Sequence, residues 1–249
     1  MAHKILLINT KGGCGKTTLS TNLCAYFTSH GIKTALHDYD PQGSSIQWNE
    51  LRKDRSDLPE VRQVVNASTK PKNGMTRSFQ MRTDNDTQII IMDTPAAIEI
   101  QKLQDFVREA DSIIVPVMPS ALDIHAVARF IQALLIQGQA RAQKKRIAIV
   151  ANRVRSNTLI YRSLTRFLDK LGLPMIAHLR DTQNYVHAAQ WGMGIHELEG
   201  PRYINDHADW VPLVSWIENG IYPPLHTAHI QYESLEGTSN TNGQVIHSR

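Results

Sequence analysis

The chain has 249 residues, a formal net charge of +4 and a hydrophobic content of 41%, which is enough to fill the core of one large α/β domain. It contains two cysteines and neither a secretory signal nor an apolar run of about 18 residues, which argues against disulfide scaffolds, secreted proteins and membrane-spanning proteins. We therefore expect a cytoplasmic protein without a transmembrane segment, and the basic balance favours an anionic partner.

Short apolar segments rich in β-branched residues alternate with longer amphipathic segments along the chain. The short segments are continuously apolar, which is typical of strands that are covered on both faces. They predict strands at Lys4–Asn9, Thr34–Asp38, Gln88–Asp93, Ser112–Val117, Arg146–Asn152 and Met175–Leu179. The longer segments predict helices at Lys16–His30, Ile124–Gln137 and Thr158–Leu171. This alternation predicts an α/β fold, a mostly parallel twisted sheet flanked by helices on both faces.

The predicted elements fit a single domain over residues 1–225. Within it, residues 53–87 are polar and rich in turn formers, and no element is predicted there. Residues 226–249 contain few apolar side chains and many Ser, Thr, Asn and Gly, so we expect a flexible C-terminal tail.

The segment NTKGGCGKTT follows the first predicted strand and opens the first predicted helix. Glycines allow close approach of the backbone to a phosphate, and the N–H groups of a helix N-terminus attract anions. In such a phosphate-binding loop Lys16 reaches the β- and γ-phosphates and the Thr17 hydroxyl binds Mg²⁺, so ATP and Mg²⁺ are the expected cofactors. The common loop has a glycine where this chain has Thr10, and here Lys11 follows. The expected nucleotide contacts are Lys11, Gly12, Gly13, Cys14, Gly15, Lys16, Thr17 and Thr18.

Acidic residues stand at the ends of two further predicted strands. HDYDPQGS places Asp38 and Asp40 after the second strand, and IIIMDTP ends a later strand with Asp93. Open α/β sheets bind ligands at the carboxyl ends of their strands, and carboxylates suit Mg²⁺. Each acid by itself could equally cap a helix or a turn. Together they predict metal ligation by Asp38 and Asp93 with Thr17.

These three motifs, in this order, resemble those of the ParA/MinD family of deviant Walker A ATPases over about residues 1–200. The resemblance implies that two subunits enclose two ATP molecules and that Lys11 of each subunit reaches the phosphates bound by the other. This is the electrostatic role of an arginine finger. It also implies that Asp40 orients the attacking water and that Asn152 hydrogen-bonds adenine, although Asn152 could instead only satisfy its own turn. Residues 180–198 resemble the family's closing segment, which we expect to serve packing and the interface.

A second feature is basic. Residues 141–170 contain nine Lys or Arg side chains and one acid, Asp169. An ordinary solvated helix face could have this composition, but the segment resembles the basic surface with which ParA-like ATPases hold DNA without reading its sequence. Arg162, Arg166 and Lys170 recur every four residues and share one helix face. The candidate DNA contacts are Arg153, Arg155, Arg162, Arg166 and Lys170.

The resemblance is closest to short ParA-type proteins without an N-terminal helix-turn-helix domain. It implies a nucleoid-associated, ATP-dependent homodimer that binds nonspecific DNA and hydrolyses ATP to segregate or position a plasmid, a compartment such as a carboxysome, or a chemotaxis cluster. A ParB-like or cargo adaptor would stimulate the ATPase. A MinD-like membrane-associated ATPase is one alternative, but residues 226–249 offer no basic amphipathic helix. An ATP-dependent ligase of the dethiobiotin-synthetase type is another, and Lys11 with the DPQG segment argues against it.

Overall fold

The computed structural model describes residues 2–69, 76, 80–155 and 158–221. Its strands are β1 (His3–Leu7), β2 (Thr34–Asp38), β3 (Gln63–Asn66), β4 (Ile89–Asp93), β5 (Ser112–Val117), β6 (Arg146–Val154) and β7 (Met175–Arg180). Its α-helices are α1 (Lys16–Ser29), α2 (Ser44–Lys53), α3 (Ile100–Glu109), α4 (Ala121–Ile136), α5 (Leu159–Leu171), α6 (Asn184–Gln190) and α7 (Ile204–Glu218). Short 3-10 turns lie at Ile195–Glu197 and Pro201–Tyr203.

The strands form one sheet in the order β3-β2-β4-β1-β5-β6-β7, and all of its neighbouring strands run parallel. The predicted α/β fold is confirmed, and each predicted strand and helix is present with its ends shifted by a few residues. The sequence did not predict β3, which lies inside the polar stretch 53–87. This strand is short and at the sheet edge, and Val65 is its one fully buried residue, so its apolar signal is weak.

Both faces of the sheet are covered by helices. Alternate side chains of a strand point to opposite faces, so Ile5 and Leu7 join one buried cluster while Leu6 and Ile8 join the other. The first cluster includes side chains of α1 and α7, and the second includes side chains of α3, α4 and α5. Within the described ranges, no helix has the length and apolarity needed to cross a bilayer. The predicted tail, 226–249, lies outside the described residues.

The order of the strands determines where a ligand can bind. β1 lies between β4 and β5, with β2 and β3 beyond β4 and with β6 and β7 beyond β5. The chain therefore leaves the centre of the sheet in both directions, and a crevice opens at the carboxyl ends of the strands where the direction reverses. The loops after β1, β2, β4, β6 and β7 all meet at this edge, because parallel strands end on the same side.

Two histidines are largely buried in the fold. His37 lies on β2, where burial and, to a smaller extent, the nearby Lys4 lower the pKa of its imidazole to about 4. Burial likewise lowers the pKa of His196 to about 3, with added repulsion from His207 and His30. The Nε2 atoms of His37 and His196 have no hydrogen-bond partner among the described residues. Both rings are therefore held neutral in the folded protein.

We expect the fold to lose stability as the pH falls from about 6.5 towards 4. The folded-state pKa of each ring lies below its ordinary value of 6.5, so the unfolded chain takes up protons first in this range. Their contribution to stability is complete above pH 6.5 and is lost below it, at a little over ~1 kcal/mol per pH unit for each ring. Thermal melts against pH should show a flatter profile for His37→Leu than for the wild type. Parallel profiles would contradict this assignment.

Candidate nucleotide-binding site

The loop between β1 and α1 needs glycine at two positions. Gly13 and Gly15 have φ angles of 73° and 98°, in the left-handed region that strains other residues. At Gly15 there is also no room, since a Cβ there would lie 2.0 Å from Nδ2 of Asn152. The loop conformation predicted from the GGCGK pattern therefore depends on these two residues.

The two lysines of the loop have different surroundings. Lys16 is 6% exposed, and its Nζ donates a hydrogen bond to the carbonyl oxygen of Lys11 at 3.4 Å. Lys11 is exposed, and its backbone N–H donates to Oδ1 of Asn9 at 3.1 Å. Asn9 in turn donates to the carbonyl oxygen of Pro116 at 2.7 Å, which ties the start of the loop to β5. The Lys16 ammonium thus lies within the loop, whereas the Lys11 side chain is exposed.

The acid at the end of β2 holds the loop that follows it. Asp38 is buried, its Oδ1 accepts the N–H of Asp40 at 2.9 Å, and its Oδ2 accepts the N–H of Ile46 at 3.3 Å. Each of these oxygens has a second lone pair, so the two backbone bonds do not preclude metal ligation by Asp38. Asp40 is half-buried in the same loop, and its Oδ1 accepts the N–H of Gln42 at 3.0 Å. The loop before α2 is therefore folded around these two carboxylates.

The acid at the end of β4 is buried without a partner. Asp93 is opposite Asp38 in the β2–β4 pairing and is 0% exposed. Neither of its carboxylate oxygens accepts a hydrogen bond of normal geometry from a described residue. The pKa of Asp93 is raised to about 7, chiefly by burial and also by the charge of Asp38. The Thr17 hydroxyl, Lys16 and the Ser20 hydroxyl oppose the rise from close by.

This arrangement fits a divalent cation. A buried carboxylate without a partner is unfavourable unless a cation or a proton compensates it. The nearby Ser20 hydroxyl also has no partner among the described residues. No group of three His, Cys, Asp or Glu side chains in the described ranges could hold a metal by itself. Mg²⁺ commonly takes one or two protein oxygens and completes its shell with phosphate and water, so Thr17 and Asp93 suit it.

A cleft of about 460 Å³ opens beside the loop, within the usual size of a small-ligand site. Its phosphate-loop end is lined by Gly13, Gly15, Thr17 and Thr18. The opposite walls come from α2, from α6, from the carboxyl ends of β6 and β7 and from the residues just after β7. The cleft therefore extends away from the phosphate loop along the carboxyl edge of the sheet.

Asn152 braces the phosphate loop from the end of β6. It is 5% exposed, and its Nδ2 donates to the carbonyl oxygen of Cys14 at 2.9 Å. Its Oδ1 accepts the N–H of Arg153 at 2.9 Å. Each polar group of the amide thus has one partner within the protein. Because Nδ2 has a second hydrogen and Oδ1 a second lone pair, these two bonds do not preclude a further one to adenine.

Part of the cleft wall was missed in the sequence. Arg180 ends β7, and it lines the cleft together with the next three residues, Asp181, Thr182 and Gln183. Arg180 is anchored from behind, because its guanidinium contacts Asp206 at 2.5 Å and Asp209 at 3.0 Å on α7. The carboxyl-edge rule applied to the last predicted strand would have indicated these residues.

The closing segment, residues 180–198, packs as the sequence predicts. Arg52 of α2 is 2% exposed and makes a bidentate ion pair with Glu197 at 2.8 and 2.6 Å. Trp48 Nε1 donates to the carbonyl oxygen of Met193 at 3.1 Å. A Cβ on Gly192 would lie 2.3 Å from the backbone nitrogen of Arg52, so the two segments are in direct contact. Both Trp48 and Leu51 line the cleft, which links its shape to this packing.

The structure divides the basic residues instead of gathering them into one surface. At the amino end of β6, Lys145 donates to the Ala110 carbonyl at 2.6 Å, and Arg146 stacks on Trp216 at 4.1 Å. At the carboxyl end, Arg155 pairs with Asp181 at 2.8 Å. Arg153 lines the cleft.

The remaining three predicted DNA contacts lie on one helix. Arg162, Arg166 and Lys170 are exposed on α5 and make no ion pair with any residue that the structure describes. The opposite side of α5 buries Leu164 and Leu168 against the sheet. These three cations therefore form an outward basic face, as their spacing predicts.

Comparison with known proteins agrees with this geometry. The sequence model of the CobQ/CobB/MinD/ParA nucleotide binding domain matches residues 5–195. Maintenance of carboxysome distribution protein A from Halothiobacillus neapolitanus is 27% identical over 198 residues, covering 79% of this chain and 88% of that protein. A Cyanothece McdA–ATP complex has a TM-score of 0.65 at 15% identity, over 88% of this chain and 96% of that one.

A putative plasmid partition protein from Borrelia burgdorferi bound to AMPPNP has a TM-score of 0.63 at 14% identity, covering 87% of this chain and 99% of that chain. At such identities the two solved structures show a shared fold.

The buried carboxylate at the end of β4 yields a stability test. Asp93→Asn removes an uncompensated buried charge, so the variant should melt about 2–6 °C higher than the wild type at pH 8 without nucleotide. With ATP and Mg²⁺ the order should reverse, because the wild type gains ligand stabilisation that the variant lacks. Differential scanning calorimetry measures both. An equal gain from ATP and Mg²⁺ in the two proteins would contradict the cation site.

Proposed function

Because the chain belongs to the CobQ/CobB/MinD/ParA nucleotide-binding family, we propose that it is a ParA-type positioning ATPase whose ATP-bound dimer holds nonspecific DNA. The observation that carries the proposal is a phosphate loop with an additional exposed lysine, Lys11, beside the buried and unpartnered carboxylate of Asp93. A nucleotide-binding loop alone would fit many enzymes on this fold. The second lysine points to charge compensation between two subunits.

The chemistry follows from the placement of the groups. The loop amides and the N-terminus of α1 bind the phosphates, and Lys16 compensates the charge of the β- and γ-phosphates. Thr17 and Asp93 would hold Mg²⁺, which when bound neutralises charge on the phosphate oxygens. Asp40 orients the attacking water from the loop before α2, and Oδ1 of this carboxylate is itself held by the N–H of Gln42.

The exposed Lys11 acts in trans in this proposal. Its ammonium enters the partner subunit's site and stabilises the charge that develops on the transferred phosphoryl group. ATP-dependent dimerisation and hydrolysis are then coupled, since each site is complete only when the second subunit is present.

DNA binding is assigned to the basic face of α5, formed by Arg162, Arg166 and Lys170. These side chains are exposed and are not neutralised by described acids, so they are available to phosphates. Dimerisation would double the face and steepen its salt dependence. Arg155 is a weaker candidate, because Asp181 already compensates its charge.

The partner and cargo follow from the same family. An adaptor protein would stimulate hydrolysis, which would release the nucleoid-bound dimer and move a plasmid or a protein compartment. The relative from Halothiobacillus neapolitanus takes its name from carboxysome distribution, and this makes a compartment of that kind the first cargo to test.

The two lysines of the loop should separate binding from dimerisation. Lys16→Ala should lose ATP binding, because the buried ammonium lies within the phosphate loop. Lys11→Ala should retain ATP binding within about threefold, which corresponds to less than ~1 kcal/mol, yet should neither dimerise nor hydrolyse. Titration calorimetry reports binding, and light scattering with ATP and Mg²⁺ reports the dimer. An undiminished ATP-dependent dimer of Lys11→Ala would rule out its role in trans.

The basic face should be separable from the nucleotide site. Arg162→Glu with Arg166→Glu should hydrolyse ATP at the wild-type basal rate but lose DNA retention. The matched control is Lys102→Glu with Arg108→Glu on α3, an identical charge change on two exposed side chains. Each phosphate contact contributes about −0.9 to the slope of log K against log salt, so the α5 variant should have a shallower slope and the control should not.

The Asp40→Ala variant, which keeps the phosphate loop, should remain on DNA with ATP in the same assay. Equal DNA retention with ATP and with ADP would contradict ATP-gated binding. An ATPase that requires an organic acid and ignores DNA would favour the ligase alternative.

A further inference from the structure

Arg153 occupies a strained position at the end of β6. Its φ angle is 54°, a left-handed conformation that is unfavourable for a residue with a side chain. The pairing of β6 with β7 is irregular between Ala151 and Val154, so Arg153 lies in a bulge of the strand. The Arg153 N–H donates to Oδ1 of Asn152, which holds this backbone in place. Bulges of this kind redirect a side chain, and strained residues concentrate at binding sites.

The redirected side chain faces the nucleotide cleft. Arg153 is exposed and lines the cleft together with Gly15 and Thr18. Asp181, the acid on the same wall, is already bound by Arg155, whose Nε and Nη2 lie 3.1 and 2.8 Å from its Oδ2. Arg153 makes no ion pair within the part of the chain that the structure describes. The cleft therefore contains a guanidinium whose charge is not compensated by a neighbouring acid.

We infer that Arg153 is a nucleotide-binding residue whose guanidinium lies on the face of the nucleobase, and that it is not a DNA contact. This inference rests on the proposed function, because it takes ATP as the ligand of the cleft. The phosphates are placed by the loop and by Lys16 at one end. Asn152 packs on that loop through Cys14. Arg153 follows Asn152 in the sequence and lines the cleft together with Asp181 and Thr182.

The chemistry of the Arg153 side chain favours contact with the nucleobase over contact with the phosphates. Arginine has a planar, delocalised cation that stacks on aromatic rings, and lysine does not share this geometry. The phosphate end already has the α1 N-terminus and Lys16 as its positive groups. A planar cation on the cleft wall next to the phosphate loop therefore adds most by covering the ring of a purine.

Two ligands that differ only in the nucleoside provide the test. ATP and inorganic triphosphate, each with Mg²⁺, are titrated calorimetrically into the wild type, Arg153→Ala and Arg153→Lys. Arg153→Ala should weaken the affinity for ATP by about fivefold to thirtyfold and leave the affinity for triphosphate unchanged. Arg153→Lys should restore ATP affinity only in part, since lysine keeps the positive charge but lacks the planar guanidinium group. Arg108→Ala on α3, an exposed arginine to which no binding role is assigned, is the control and should bind ATP as the wild type does.

Each other outcome overturns the inference. An equal loss of ATP and triphosphate in Arg153→Ala would make Arg153 a phosphate ligand. Unchanged ATP affinity would return Arg153 to the DNA contacts. Arg153→Gly separates folding from binding, because it relieves the strained backbone and should keep or raise the melting temperature while losing ATP affinity like Arg153→Ala. Failure of the proposed function looks different, since the wild type itself would then bind neither ATP nor triphosphate.

Discussion

The parallel pairing of β1, β2 and β4 is the constraint from which the site follows. In this pairing Asp38 and Asp93 are cross-strand neighbours, and the phosphate loop starts just past the end of β1. Two carboxylates buried side by side repel each other, and only Asp38 has its charge distributed over backbone N–H groups. Asp93 is left as a buried carboxyl group whose pKa is raised to about 7. Its ionisation is therefore unfavourable in the apo protein, and a nucleotide-bound cation would compensate the charge.

The loop after β2 is linked mechanically to the far side of the cleft. Asp38 and Asp40 fold this loop, and α2 follows it directly. Arg52 then joins α2 to Glu197 through a buried bidentate pair, and breaking such a pair leaves an uncompensated charge. The loop, α2 and the closing segment are therefore joined by direct contacts, and Trp48 of α2 lines the cleft.

The basic residues that are concentrated between positions 141 and 170 of the sequence lie on different surfaces of the folded protein. β6 is nine residues long. Arg146 at its start therefore lies at the amino ends of the strands, and Arg153 near its end lies at their carboxyl ends. Arg146 covers Trp216, Arg155 holds Asp181, and Arg153 faces the cleft. On α5, by contrast, Arg162, Arg166 and Lys170 are all exposed to solvent. A count of basic residues therefore overstated how many cations share one surface, whereas the four-residue spacing of Arg162, Arg166 and Lys170 predicted their common exposed face.

The sequence by itself determined the fold class, the phosphate loop and the strand ends that bear Asp38, Asp40 and Asp93. These features are local, because they depend on continuous apolar runs, on glycine at positions of positive φ and on acids that directly follow strands. Even the order of the three motifs carried the family resemblance.

Tertiary structure alone decided what each of these groups contacts. The Asn152 brace on Cys14, the Arg155–Asp181 pair and the Arg52–Glu197 pair join residues that are far apart in the chain. The strained φ of Arg153 depends on a bulge in the pairing of β6 with β7, and no local pattern encodes it. Such features arise only when strands pair and loops meet at one edge, because burial and charge compensation are properties of neighbours in space.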